Sequence, residues 1–369
     1  MNMHRIHTLP IVLLVLAFYS SQGWTENWQQ TGSVRISTEH DSNPIMSPHM
    51  YGDVWYQLIE PNYTMLGKFG EDDLSMGIGL YIRLSGDQAL RPNRNNPSAF
   101  LNWSRQIESG EIGVSSKYAE VTTSDSGIDG VGQVPVDSTR ISRTLSGKWS
   151  HTLSERSTLV TDVLYGNIVY RGGNFIDYNS RAGNLMLDYA LSELNTIFIK
   201  LAHIEYVPVQ SSLASNSYTN TALGGWNWKA SEYMEGSLQA GQAQNNDGDI
   251  SQQGAVMVKF TGERNIFTLD AEHQIVPSGL GGFVTVNQKN ANWSYELNER
   301  SKTGVDLGLQ TNLSTGITNR TEGIWLQNEL DSFWGVRTYY LHKYFYGADT
   351  IGASANIVGI SFVYTNNDI

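Results

Sequence analysis

The sequence has no cysteine, few prolines and few charges for its length. None of its 369 residues is Cys, only 9 are Pro, and 16% are charged, whereas about 25% is typical of soluble domains. Proteins of this size that leave the reducing cytoplasm often use disulfides, so rigidity must have another source. A closed hydrogen-bonded sheet would supply it. Without Cys or paired His residues, we expect no metal site and no cofactor.

Long hydrophobic runs are also scarce, and the longest lies at the beginning of the chain. His4 and Arg5 precede the apolar segment Leu9 to Phe18, and small or polar residues follow as far as Gly23. A run of about ten residues is too short for the ~20 of a spanning helix, the rival interpretation. The order of basic, apolar and small-residue regions predicts a signal peptide over residues 1–23, cleaved near Trp24.

The charge balance excludes one class of partner. The formal net charge is −12, so the sequence does not predict nucleic-acid binding. Several acidic residues lie in expected loops, where they form either solvated tips or divalent-ion bridges to lipopolysaccharide; they are Asp125, Asp129, Asp137, Asp247 and Asp249.

What the sequence does contain is alternation with a period of two. In Leu74–Leu84 the even positions are all apolar, and the odd positions are Ser, Gly, Tyr and Arg. Similar segments recur along the chain, separated alternately by short and long connections, which is typical of transmembrane barrels. We predict an all-β fold, a transmembrane antiparallel up-and-down β-barrel of 18 strands (16 or 20 being the alternatives), formed by residues 24–369 as a single domain in the Gram-negative outer membrane.

Aromatic residues near the expected strand ends favour a barrel over a soluble β-sandwich. Tyr and Trp concentrate at membrane interfaces, where they form girdles around the barrel. The residues that fit such a girdle are Trp55, Trp103, Trp149, Tyr170, Trp226, Trp293 and Trp334.

The last expected strand carries a motif for barrel assembly. Asn356, Gly359, Phe362 and Tyr364 follow the spacing polar, glycine, hydrophobic, hydrophobic. This resembles the segment that the barrel-assembly machinery reads in outer-membrane proteins, and an exposed edge strand can pair with such a partner by augmentation. The motif departs from a terminal aromatic residue, because Thr365 to Ile369 follow it.

The opening strand carries a second resemblance. Val34 to Pro48 reads VRISTEHDSNPIMSP, with the acidic-Asn-apolar element at Asp41 to Pro44. It resembles the beginning of outer-membrane barrel proteins associated with exopolysaccharide biosynthesis and export systems, as do the hairpin turns of the LSERST type. The resemblance implies polysaccharide export, with periplasmic export components as partners. The alternative is that Asp41–Pro44 is an outer loop with turn-forming residues.

The alternation also predicts which charges face the lumen. A surplus of inward cations would attract an anionic polymer, whereas mutual ion pairs would only rigidify the wall. A register error of one residue reverses a strand. The predicted inward cations are Arg83, Lys117, Lys148, Lys200, Lys259, Lys302, Arg337 and Lys343, and the predicted inward acids are Asp162, Asp188, Asp270 and Asp306.

The sequence shows no pattern of catalytic residues. His40, His49, His151, His203, His273 and His342 fall in different segments with no motif around them, so we predict no enzyme and no catalytic residue. The preferred function is a channel for polysaccharide export. A general or solute-specific porin is the alternative, for which Thr123–Thr139 is the candidate constriction loop. An enzyme barrel and a structural barrel follow, and all four would contact outer-membrane lipid and lipopolysaccharide.

Overall fold

The computed structural model describes residues 28–49, 51–123, 137–347 and 350–366, which form one antiparallel sheet. Each strand is 12 to 17 residues long. The strands are β1 Trp28–Asp41, β2 Val54–Phe69, β3 Asp72–Ser85, β4 Arg94–Ile107, β5 Gly110–Thr122, β6 Thr139–Ser154, β7 Ser157–Arg171, β8 Tyr178–Ser192, β9 Asn195–Pro208, β10 Ser217–Ser231, β11 Met234–Asn245, β12 Ile250–Thr261, β13 Asn265–Ser278, β14 Gly282–Asn298, β15 Ser301–Asn312, β16 Ile317–Glu329, β17 Trp334–Gly347 and β18 Thr350–Asn366.

The sheet closes on itself. Each strand pairs with its neighbours in sequence, and β1 pairs with both β2 and β18. The first and last strands meet over a long register in which Gly32 lies opposite Asn366 and Asp41 opposite Ile357. Closure leaves no free edge, so the predicted 18-stranded antiparallel barrel is confirmed.

The two ends of the barrel differ. At the end where β1 begins, most connections have two residues, such as Ser109 between β4 and β5; we call this the turn end. The opposite loop end carries the longer connections, such as residues 42–53 and 86–93. Short turns face the periplasm and longer loops face outward in barrels of this type. The predicted signal peptide and most of the candidate constriction loop Thr123–Thr139 lie outside the described residues.

The outer surface is apolar, as a membrane requires. Large hydrophobic side chains stay exposed on alternate positions, among them Ile199 at 62% and Val163 at 57%. A closed barrel satisfies its backbone hydrogen bonds internally and can therefore place these side chains in lipid. No helix of the described residues is long and apolar enough to cross a bilayer. The exterior and the closure together make this an integral outer-membrane barrel.

Aromatic side chains ring the turn end of the exterior. Trp334 and Phe333 pack against Tyr364 of β18 with ring centroids 5.0 and 6.2 Å apart. Trp103, Trp149, Trp226 and Trp293 occupy outward positions near the turn ends of other strands. Tyr170 was wrongly assigned to a girdle. It is 9% exposed and packs inside, against Ile168, Tyr178 and Tyr206, because the even positions of β7 face inward.

Candidate functional site: the lumen wall

The strand register places all twelve sequence-predicted charges on one face. Residues opposite each other in an antiparallel pair point to the same side, so one inward residue fixes its neighbours around the ring. Lys148 lies opposite Asp162, and both line a cavity of about 940 Å³ inside the turn-side half. Continuing strand by strand, the pairings bring the other ten predicted residues to that same lumen face.

The structure brings together only some of these charges. Lys148 faces Asp162 across β6 and β7, and Arg337 Nη2 lies 3.9 Å from Asp306 Oδ2. Asp270 accepts a hydrogen bond of 2.7 Å from the Asn290 amide.

Three predicted cations pair instead with acids that sequence reasoning did not assign to the lumen. Lys259 Nζ lies 3.2 Å from Glu235, Lys302 Nζ lies 2.9 Å from Glu296, and the buried Arg83 lies 3.4 Å from Asp137. Lys117 and Asp188 have no ion pair within 4.0 Å in the described part of the chain.

The excess of cations among the sequence-predicted inward charges does not extend to the whole lumen wall. The register brings further acidic residues inward: Glu39, Asp41, Glu60, Asp73, Glu111, Glu235, Glu272, Glu296 and Glu329. It also adds basic residues, namely Arg35, Lys68, Arg94, Arg140 and Lys229. Many of these acids lie near strand ends, where the alternation runs into a turn and hides the face they occupy. Inward acids and bases come close to parity.

Two arginines stand together at one place on the lumen wall, beside the seam between β18 and β1. A recess of about 370 Å³ is lined by Arg35 and Glu39 of β1, Glu60 of β2, and Trp325 and Arg337 of β16 and β17. We call it the arginine niche. Its arginines come from opposite ends of the sequence and meet because β18 alone separates β17 from β1.

Small side chains leave the space for this niche. Ser37 and Ser361 lie opposite each other on β1 and β18, and Ser361 lies opposite Arg337. Gly359 is the next inward residue of β18, and a Cβ there would come within 2.4 Å of the Tyr339 ring. Glycine is therefore needed for the close approach of that ring. Tyr339 donates a hydrogen bond to Glu39, as does Tyr56 from the other side.

The niche arginines keep donor capacity for a ligand. Arg35 Nη1 is 3.7 Å from Glu60, and Arg337 is 3.9 Å from Asp306. Both distances exceed the roughly 2.8 Å of a charge-assisted hydrogen bond. The Arg337 guanidinium carbon lies 4.3 Å from the centre of the Trp325 ring, within the range of a cation–π contact. Arg35 and Arg337 side chains are 53% and 35% exposed, so solute in the lumen reaches them.

The loop-side half of the lumen is crossed by the β13–β14 hairpin. In the sheet, β10 to β12 separate β9 from β13. Nevertheless, the Ile176 N–H donates to the Gly279 carbonyl at 2.8 Å, and Tyr178 donates to the Pro277 carbonyl at 3.4 Å. The Tyr206 ring, which is 0% exposed, lies 6.4 Å from the Phe283 ring. Because Tyr178 and Tyr206 point inward, the hairpin tip narrows the mouth on this side.

A buried ion pair lines the mouth on the other side. Arg91, from the connection between β3 and β4, lies 2.8 Å from Asp41 and 4.4 Å above the Tyr56 ring. On the outer face, His40 of β1 bonds to the exposed Asp53 at 2.6 Å, and this hydrogen bond lowers the pKa of the Asp53 carboxyl.

Asn43, from the segment that carries the export resemblance, is a buried residue that connects the first loop to β18. Its amide donates to the Ser47 carbonyl at 2.8 Å and to the Ser354 carbonyl of β18 at 2.9 Å. The side chain is 1% exposed. The first connection is thus fastened to the last strand.

The residues of the assembly motif divide between the two faces of β18. Phe362 and Tyr364 face outward near the turn end. Asn356 also faces outward, closer to the loop end, and it accepts hydrogen bonds from Tyr340 and His342. Gly359 faces the lumen. Recognition of this strand by the assembly machinery stays a prediction.

The described residues contain one Ser–His pair but no complete hydrolytic triad. Ser109 Oγ lies 2.9 Å from His151 Nδ1 at the turn end, and the imidazole stacks on Trp149. No carboxylate is bonded to this imidazole in the described part. Nor does that part hold a group of three His, Cys, Asp or Glu residues that could bind a metal ion.

Comparison with known proteins adds structural relatives only. No protein-family model and no curated protein matches the sequence. The fold is similar to OccAB2 and OccAB4 of Acinetobacter baumannii, with TM-scores of 0.50 and 0.51 and sequence identities of 9% and 8%. Each alignment covers 92% of this chain, and 98% and 99% of the other chain. OpdK of Pseudomonas aeruginosa aligns at a TM-score of 0.50 and 9% identity, covering 91% of this chain and 99% of OpdK.

Proposed function

We propose that this protein is a porin-type channel for small anionic solutes, which bind at the arginine niche on their way through the lumen. The observation that carries the proposal is the pair of loosely held guanidiniums in a recess of about 370 Å³. Arginine binds carboxylate and phosphate through paired donors. The recess suits a solute of a few heavy atoms, and the adjoining Trp325 ring offers a flat apolar surface.

The distribution of space in the lumen favours a small solute over a polymer. The turn-side half holds the large cavity, whereas the loop-side half contains the crossing hairpin and buried side chains such as Tyr178 and Tyr206. A solute must pass a narrow, partly aromatic mouth and then a wider charged vestibule. A structure of OpdK, which shares the fold, contains vanillate, an aromatic carboxylate. That precedent is compatible with an anionic solute here.

The test is single-channel recording of the refolded chain, residues 24–369, in planar bilayers with a series of small carboxylates. We expect open conductance that benzoate-like anions reduce at low concentration. The double variant Arg35→Gln/Arg337→Gln should weaken this block about tenfold or more, because two charge-assisted contacts are lost. Lys302→Gln is the matched control, since it removes an inward cation that is paired to Glu296 outside the niche. Equal block of all three proteins would contradict the proposal.

Export of an exopolysaccharide is the second candidate function. It is favoured by the resemblance of Val34–Pro48 to export-associated barrels. Asn43 of that segment is hydrogen-bonded to β18, so the segment is part of the barrel structure. The same bilayers distinguish the two functions. An anionic polysaccharide that blocks at lower concentration than any small anion would favour export and periplasmic export components as partners. Block by small anions, with no effect of polymer added to either side, would favour the porin-type channel.

A further inference from the structure

One of the grooves on the described outer surface differs from the others in carrying two cations, and the channel function does not use it. Its volume is about 450 Å³, and it lies on the lipid-facing side of β13 to β17. Lys289 and Arg320 stand on opposite sides of Leu309, to which each is directly paired in the register. Tyr344 lies opposite Arg320, and its ring centroid is 5.5 Å from that of Tyr346.

The two cations lie on the polar side of a transition from polar to apolar rows on this face. One register step toward the turn end, the row combines Leu269, Ala291 and Leu307 with Glu322 and His342. The row after it is hydrophobic throughout and reads Phe267, Trp293, Val305, Ile324 and Tyr340. One step toward the loop end, it reads His273, Asn287, Thr311, Thr318 and Tyr346. Because the loop end faces outward in such barrels, Lys289 and Arg320 lie on the extracellular side of these apolar residues.

The groove is lined by two cations and one acid, Glu322. Lys289 is exposed and has no ion pair within 4.0 Å in the described part of the chain. Arg320 pairs with Glu322 on its own strand, and its side chain is 59% exposed. On the turn side of the cation row, Leu269 and Leu307 are 44% and 45% exposed and form an apolar floor.

We propose that this groove binds the phosphorylated headgroup of lipopolysaccharide. Lys289 and Arg320 would contact a phosphate on the glucosamine backbone, the tyrosines would border the sugar, and an acyl chain would lie over Leu269 and Leu307. The groove and the lipid match in charge and in vertical order. The groove has two cations on the extracellular side of apolar side chains, and the lipid has phosphates on the extracellular side of its acyl chains. A neutral lipid gains nothing from the cations.

The test measures binding of purified diphosphoryl lipid A to the refolded barrel in detergent by native mass spectrometry. Wild type should retain lipid A, and Lys289→Gln/Arg320→Gln should bind it roughly tenfold more weakly or worse. Arg181→Gln is the matched control, because it removes an outward cation of β8 that pairs with Glu205 at 3.6 Å. Each variant is first checked for its heat-modifiable mobility on gels, which reports a folded barrel.

A second arm separates phosphate recognition from simple acyl binding. Dephosphorylated lipid A should bind wild type as weakly as diphosphoryl lipid A binds the double variant. Equal retention of lipid A by wild type and the double variant, or equal binding of the two lipids to wild type, would overturn the proposal. Neither result depends on conductance, so the channel function stands or falls separately.

Discussion

At the scale of single residues, the sequence shows which chemical group is present, but it does not show which residues that group contacts in the fold. Asn43 looks like an ordinary turn residue, yet its amide donates one hydrogen bond to the Ser354 carbonyl of the last strand and a second to the Ser47 carbonyl within the first connection. We expect Asn43→Ala to destabilise the barrel by about 1–3 kcal/mol, because it leaves two partly buried carbonyls without their donor. The midpoint of thermal unfolding, read from heat-modifiable mobility on gels, checks this.

Asn246→Ala provides the control for that measurement. Asn246 lies at an exposed turn, where its amide bonds to the adjacent Asp247 at 3.0 Å, so its loss should change the midpoint little. If both variants shifted the midpoint equally, the hydrogen bonds of Asn43 would make no specific contribution to the stability of the barrel.

At the scale of elements, the strands could be predicted from the sequence, but the hairpin across the mouth could not. Period-two alternation is local, so Leu74–Leu84 and its counterparts reveal their faces without knowledge of any partner. β13 continues to Ser278 and β14 begins at Gly282, so the turn lies where the alternation ends, but the alternation does not report what this turn contacts. The alternation weakens there because this hairpin packs against β7 to β9 rather than between lipid and water.

This hairpin should control passage through the mouth. A Cβ on Gly279 would come within 2.7 Å of the Tyr170 ring, so Gly279→Val should displace the tip and raise single-channel conductance or its fluctuation. Gly183→Ala is the control, because a Cβ there meets nothing within 4 Å. Identical current traces for wild type and Gly279→Val would mean that the hairpin does not limit ion flow.

At the scale of the whole molecule, closure decides what the sequence leaves open. Arg35 and Arg337 become neighbours only because β1 pairs with β18, and no local pattern reports a contact across such a separation. Because the sheet closes, the inward charges of all strands face one shared lumen. Acids near strand ends, such as Glu39 and Glu296, can be counted as inward once the register is known. From the sequence alone the strand ends are uncertain, so these acids are left out of the count.

Near parity of inward charge predicts weak ion selectivity in spite of the formal net charge of −12. In a tenfold KCl gradient, the reversal potential of the wild-type channel should lie near zero, because paired acids and bases cancel along the wall. Arg35→Gln/Arg337→Gln should shift it toward cation selectivity, since the exposed guanidiniums are removed while Glu60 and Asp306 remain. The outward Arg181→Gln should leave it unchanged. Strong anion selectivity of the wild type would show that permeating ions sense the exposed arginines rather than the balanced wall, and would move the selectivity filter to the niche itself.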